Sequence, residues 1–129
     1  MSSFKAHELG SEVIKHILNI TNTQPDDVII GQALTAAQGQ NPARQSVLSS
    51  GLPNSVTATT INQLCGSGLR ACVLGYQAIR CGDSKVVICG GQESMSQAPH
   101  CIHLRNGHRM NDATMIDSKY LLEKIRFWS

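Results

Sequence analysis

The sequence predicts an α/β layered fold with a largely buried sheet. Helix-period and strand-like segments alternate through the first ninety residues. The strand-like runs are short and rich in β-branched residues, as expected for a largely buried sheet. Gly and Pro mark where the helical segments stop.

Residues 6–20 place Leu9, Val13, Ile14, Ile17 and Leu18 on one side of an amphipathic helix. A polar cluster at 21–27, containing Pro25, ends it. Val28, Ile29 and Ile30 then form a buried strand reaching towards Leu34. Asn41-Pro42 reads as a cap followed by the first residue of a helix, which runs to about Ser50 and stops at Gly51. Residues 56–61, rich in Thr and Val, read as a second strand. A third helix is expected over 66–80, with Leu69, Val73, Leu74, Tyr76 and Ile79 as its apolar face and Gly82 as its stop. Residues 85–89 read as a third strand running into Gly90-Gly91-Gln92-Glu93. Past Ser94 the periodicity fades until a mixed segment at 120–128, a weak match to a surface or partner helix.

At 129 residues the chain is one domain or part of one. A net charge of +2, with Lys and Arg spread along the chain, argues against a nucleic-acid partner. A modest basic stretch gathers His100, His103, Arg105, His108 and Arg109. No run approaches the roughly 18 apolar residues that a spanning helix needs, so no membrane partner is expected. Residues 1–8 show neither a signal-peptide apolar region nor an Arg-rich transit pattern, and the expectation is a cytoplasmic protein. Five cysteines, an odd number with no C-x-x-C spacing, argue for reduced thiols over a disulfide framework.

Cys65 is the principal candidate site residue. It stands where the second strand turns into the third helix, and the start of a helix favours a thiolate through unpaired N–H groups and the macrodipole. The small residues Gly66-Ser67-Gly68 leave room for a group approaching the sulfur. The alternative is a small buried hydrophobe that happens to open a helix. Residues 66–71 also match the G-x-G-x-x-A dinucleotide pattern, but the following strand ends in Cys89, Gly90 and Gly91 where that pattern wants an acid. His100, Cys101, His103 and His108 fit no standard zinc spacing, and Arg105 and Arg109 oppose a dication, so no metal is expected. Cys72, Cys81 and Cys89 fall in apolar segments and are expected in the core. In α/β sheets chemistry gathers where strands end, so Cys65 and the Gly90-Gly91 turn are expected near one another.

Four segments together carry a resemblance. Ile-Asn-Gln-Leu-Cys-Gly-Ser-Gly-Leu-Arg-Ala at 61–71 resembles the acyl-enzyme signature of thiolases. Gly-Gln-Asn-Pro-Ala-Arg-Gln at 39–45 precedes it, and Gly-Gly-Gln-Glu-Ser-Met-Ser-Gln-Ala-Pro-His at 90–100 follows it, in the family's order and spacing. Residues 101–118 are similar to the hairpin by which biosynthetic thiolases join dimers into tetramers. The match covers about residues 9–118 and is most similar to the acetyl-CoA C-acetyltransferase (acetoacetyl-CoA thiolase) branch.

The resemblance implies the thiolase fold, built on a duplicated βαβαβαββ unit, of which this chain holds an incomplete N-terminal half. It divides the chain into a partial N-terminal domain at 1–118, with the tetramerisation-like hairpin near 100–118, and a divergent tail at 119–129. It implies that Cys65 accepts an acyl group from a coenzyme A thioester and passes it to the carbanion of a second acetyl-CoA, reversibly. Acetyl-CoA or another acyl-CoA is then the substrate, no cofactor is bound, and the complete enzyme is a homo-oligomer, dimer or tetramer. The family's opening strand, its Asn-Glu-Ala-Phe segment, its Gly-His-Pro histidine and its second cysteine have no counterpart in these 129 residues. The resemblance therefore implies little or no turnover by this chain alone, or a non-catalytic role in association with a full-length thiolase. It leaves a mitochondrial parent open.

Overall fold

The computed structural model describes residues 3–105, 107 and 112–120 of the chain. Helix α1 spans Ala6–Thr21 and opens with the Glu8 carboxylate accepting the Lys5 N–H at 2.7 Å. It closes on Asn22 in the left-handed region, φ 47°. Strand β1 (Asp27–Gly31) ends sooner than the expected reach towards Leu34. Helix α2 (Pro42–Ser49) begins as expected: Asn41 caps it by accepting the Arg44 N–H, and Pro42 takes the first helical position. Asn41 also ties α2 to the strand that follows, donating to the Ala58 carbonyl at 2.9 Å and accepting from the Thr60 hydroxyl at 2.8 Å. Strand β2 (Thr57–Ile61) leads through a turn into α3 (Ser67–Cys81), which ends on Gly82 with φ 82°.

Strand β3 covers Val87–Gly91, two residues later than expected. Lys85 and Val86 fall outside the ladder because the Asp26 carboxylate takes both of their N–H groups, at 2.7 and 2.9 Å. These two bonds hold the Asp26 carboxyl below its ordinary range. Gly90 and Gly91 are consequently strand residues, not a turn. Beyond them, strands β4 (His100–Cys101) and β5 (Ile116–Asp117) pair antiparallel, on the segment expected to form a hairpin. A short 3-10 turn follows at Ser118–Tyr120, and the rest of the expected segment at 120–128 lies outside the described residues.

The main sheet is parallel, in the order β2-β1-β3. Asp27 lies opposite Thr57 and Val87 at one end, and Gly31 lies opposite Ile61 and Gly91 at the other. The chain steps from β1 to β2 on one side and returns past β1 to β3, so right-handed crossovers put α2 and α3 on opposite faces. On the face of α1 and α2, Ile14, Val28, Ile30, Ala43, Val47, Leu52 and Val56 form one buried cluster, with Ile88 packed against it.

The face under α3 departs from expectation. Leu69, Tyr76 and Ile79 are exposed, Leu69 at 75%, and Val73 is at the border of exposure. The residues that α3 buries are Ser67, Ala71 and Gly75, a stripe at i, i+4, i+8. Small side chains let the helix backbone come down onto the sheet: a Cβ on Gly75 would lie 3.3 Å from the Cys89 sulfur. Hydrophobic period located the helix but named the wrong face, because close approach selects for small residues over large ones.

Candidate functional site

All three parallel strands end on one edge, and Cys65 stands above it. Strand β2 finishes at Ile61 and α3 begins at Ser67, so five residues make the turn. Leu64 adopts φ 52°, a left-handed conformation that costs a branched residue about 1 kcal/mol or more and must be held by its surroundings. Asn62 Oδ1 accepts the Leu64 N–H at 2.9 Å. The Ser67 hydroxyl donates to the Leu64 carbonyl at 2.6 Å and accepts the Gln63 N–H at 2.8 Å. Both peptide groups around Leu64 are thereby fixed, and the next side chain in the chain is the Cys65 thiol.

Cys65 is exposed, which removes the reading of it as a buried hydrophobe. Gly66 occupies the cap position of α3, so Cys65 directly precedes the helix start, where the Gly66 and Ser67 N–H groups donate to the Gln63 and Leu64 carbonyls of the turn, each at 3.1 Å. Gly91 lies against the helix start, at Gly68, three residues past Cys65: a Cβ on Gly91 would lie 3.3 Å from the Gly68 Cα. Gly31 is tighter still, since a Cβ there would overlap the Ser67 carbonyl group and lie 2.6 Å from the Gly68 nitrogen. The opening turn of α3 thus rests on backbone contributed by β1 and β3.

Three other cysteines were expected in the core, and the structure corrects this. Cys72 and Cys81 are exposed, because they lie off the small-residue stripe that α3 buries. Cys89 is half-buried under α3, and burial pushes its thiol up, with a hydrogen bond to Cys72 adding to the effect. It is poorly suited to act as a thiolate.

Below the strand ends lies a polar network that the sequence reading did not single out. The Ser46 hydroxyl donates to Gln92 Oε1 at 2.7 Å, Gln92 Nε2 donates to Gln32 Oε1 at 2.9 Å, and Gln32 Nε2 donates to the Leu34 carbonyl at 2.9 Å. Ser46 and Gln32 are fully buried. The one available signal was the dipeptide Gly-Gln closing two strands, at 31–32 and 91–92. An acid does follow β3, at Glu93, but its oxygens are taken by the N–H groups of Ala33 and Leu34 at 2.8 and 3.1 Å. It is not free to bind a ribose as the dinucleotide pattern requires.

Among the described residues no group of three His, Cys, Asp or Glu side chains is arranged to hold a metal, and no helix is long and apolar enough to cross a membrane. Of the basic stretch, His100, His103 and Arg105 are exposed, while His108 and Arg109 lie outside the described residues.

Comparison with known proteins supplies what the geometry lacks. The model of the thiolase N-terminal domain matches residues 1–123. An acetyl-CoA acetyltransferase of Rhizobium meliloti (strain 1021) is 55% identical over 116 residues, covering 88% of this chain and 30% of the relative. One from Allochromatium vinosum is 54% identical over 122 residues, covering 92% and 31%. Among solved structures, the chain is similar to the Acat5 thiolase of Ascaris suum in complex with coenzyme A, with a TM-score of 0.82 and 33% identity over 91% of this chain and 31% of that one. The chain spans about 30% of the length of the curated relatives it matches.

Proposed function

The chain belongs to the thiolase family and has its α/β fold, and on that premise we propose that Cys65 is the acyl acceptor of an acetyl-CoA C-acetyltransferase. One observation carries the reading: the exposed thiol stands on a hydrogen-bonded strand-to-helix turn at the carboxyl ends of a parallel sheet. The Cys65 thiolate attacks the carbonyl carbon of an acetyl thioester. The carbonyl electrons move to oxygen, and on this reading the Cys65 N–H donates to that oxyanion. Collapse of the intermediate expels the thiolate of coenzyme A, which takes a proton and leaves an S-acetyl cysteine. In the complete enzyme the carbanion of a second acetyl-CoA takes the acyl group, giving acetoacetyl-CoA and restoring Cys65.

The 129 residues contain no Gly-His-Pro histidine to serve as a base. Loss of a positioned base costs about 10² to 10⁴-fold in rate, so this chain accepts an acyl group in the first half-reaction and turns over little. Incubation with acetyl-CoA followed by peptide mass mapping tests this. Acetylation of Cys65 ahead of Cys81, without sustained release of coenzyme A, supports the reading. Equal labelling of both thiols sinks it, and sustained cleavage of acetoacetyl-CoA sinks the claim of low turnover.

A second reading draws on the exposed apolar residues Leu69, Tyr76 and Ile79 of α3, which give the chain a face suited to association with a longer thiolase chain. Co-expression with a full-length thiolase followed by size-exclusion chromatography checks it. Co-elution is expected on that reading, and separate elution removes it.

A further inference from the structure

The edge that carries Cys65 is tied together beyond its last ladder bonds. The Gln32 N–H reaches the Ile61 carbonyl and the Gln92 N–H reaches the Gly31 carbonyl, each at 3.0 Å. There the backbone pairing stops, and two side chains take over. Glu93, two residues past β3, spends both carboxylate oxygens on the segment leaving β1, accepting the Ala33 and Leu34 N–H groups at 2.8 and 3.1 Å. Asn62, the first residue past β2, donates Nδ2 to the Ala33 carbonyl at 3.1 Å and accepts the Leu64 N–H on Oδ1 at 2.9 Å. Ala33 is therefore held on its amide by Glu93 and on its carbonyl by Asn62. The connection runs from β3 across β1 to β2 and ends on the amide of Leu64, the residue before Cys65.

We propose that Glu93 and Asn62 are positioning residues for Cys65: together they form a hydrogen-bonded strap across the three strand ends that fixes the Leu64 turn. The proposal rests on the reading of Cys65 as the acyl acceptor. Its physical basis is that Leu64, at φ 52°, is held in a conformation it would leave if released. Ser67 secures the carbonyl side of that residue; among the described residues Asn62 is the acceptor of its N–H, and the Gly66 N–H holds the Gln63 carbonyl of the same peptide at 3.1 Å. Asn62 is exposed, and water competes for an exposed amide side chain unless its other end is anchored. The anchor is Ala33, and the group that immobilises Ala33 is a carboxylate, whose hydrogen bonds are roughly twice as strong as neutral ones. Glu93 thus acts on a turn that it does not touch.

Amide hydrogen exchange on the whole 129-residue chain reads this coupling directly. In Glu93→Ala the Ala33 and Leu34 amides lose their acceptors, and the proposal expects the Leu64 amide to exchange about ten-fold faster as well. Glu93→Gln, which keeps one acceptor oxygen, restores part of the protection at Leu64. Asn62→Ala releases Leu64 without releasing Leu34, and Asn62→Asp, which keeps the acceptor, releases it less. In parallel, acetylation of Cys65 by acetyl-CoA, taken relative to Cys81, falls about ten-fold in both alanine variants.

The proposal is overturned if Glu93→Ala speeds exchange at Ala33 and Leu34 and leaves Leu64 unchanged. Exchange of the α1 and α2 amides reports whether each variant is folded. Should Glu93→Ala fail that check, Glu93→Gln and Asn62→Ala decide by the same comparison. Failure of the underlying reading looks different: Cys65 of the unaltered chain is then acetylated no faster than Cys81, while exchange at Leu64 still scores the strap.

Discussion

The two faces of the central sheet are closed by different means. Under α1 and α2 the seal is side chain: Ile14, Val28, Ile30, Val47, Leu52 and Val56 pack into one buried cluster. Under α3 the seal is mostly backbone: Ser67, Ala71 and Gly75 bring the helix onto the sheet, and its large residues Leu69, Tyr76 and Ile79 point outward. The first arrangement contributes stability through apolar area removed from water. The second gives up that area and gains proximity, which is what places the opening turn of α3, and the thiol before it, at the strand ends. One face holds the domain together and the other sets where Cys65 stands.

The comparison breaks most readily on the side-chain face. Ile14→Ala removes a large group that is 2% exposed, and a loss of about 2–5 kcal/mol is expected in urea unfolding. Gly31→Ala attacks the backbone face, forcing a Cβ against the main chain of Ser67 and Gly68. A loss of about 1–3 kcal/mol is expected, together with slower acetylation of Cys65 relative to Cys81. Gly90→Ala in the neighbouring strand is the control. Nothing lies within 4 Å of a Cβ there, so the same chemical change should leave stability unchanged or raise it by about 0.4–1 kcal/mol.

Smaller effects sharpen the contrast. Leu69→Lys and Tyr76→Lys on the outer side of α3 should each shift stability by about 0.5 kcal/mol or less. Their measurable consequence is reduced self-association in sedimentation velocity. The mildest change concerns Asp26, whose carboxyl is held low by the N–H groups of Val86 and Lys85. A group with a lowered folded pKa stabilises the fold above its unfolded value, near 4, and that contribution disappears as pH falls through the folded value. Asp26→Asn should therefore flatten the acid side of a stability-versus-pH curve below about pH 4 and leave its neutral region with the same slope.

Much of this architecture was legible in the residues. Asn41-Pro42 announced α2 and Gly82 closed α3, because caps and stops are local and have few alternatives. What escaped was set at longer range. The start of β3 turns on Asp26, some sixty residues away in sequence, taking the amides of Lys85 and Val86 out of the ladder. The buried face of α3 was misread because hydrophobic period assumes that large residues go inward, whereas here backbone contact decides. Gln32, Gln92 and Glu93 read as ordinary polar residues after a strand. Their roles exist only once the strands stand side by side. The strand-to-helix junction that carries Cys65 was legible, since such junctions are local, but the Asn62 and Ser67 bonds that shape its turn were not.

Leu64 has a bearing on whether this site could be moved to another protein. A turn shaped by glycine carries its geometry in its own sequence, and a loop graft can transfer it. Leu64 takes its left-handed conformation from an asparagine anchored on a neighbouring strand and from a buried serine hydroxyl inside the helix that follows. Transplanting the five residues 62–66 into a different scaffold would carry the thiol but not its orientation. A host would also have to supply a carbonyl where Ala33 stands, and a strand bare enough for the helix to settle on.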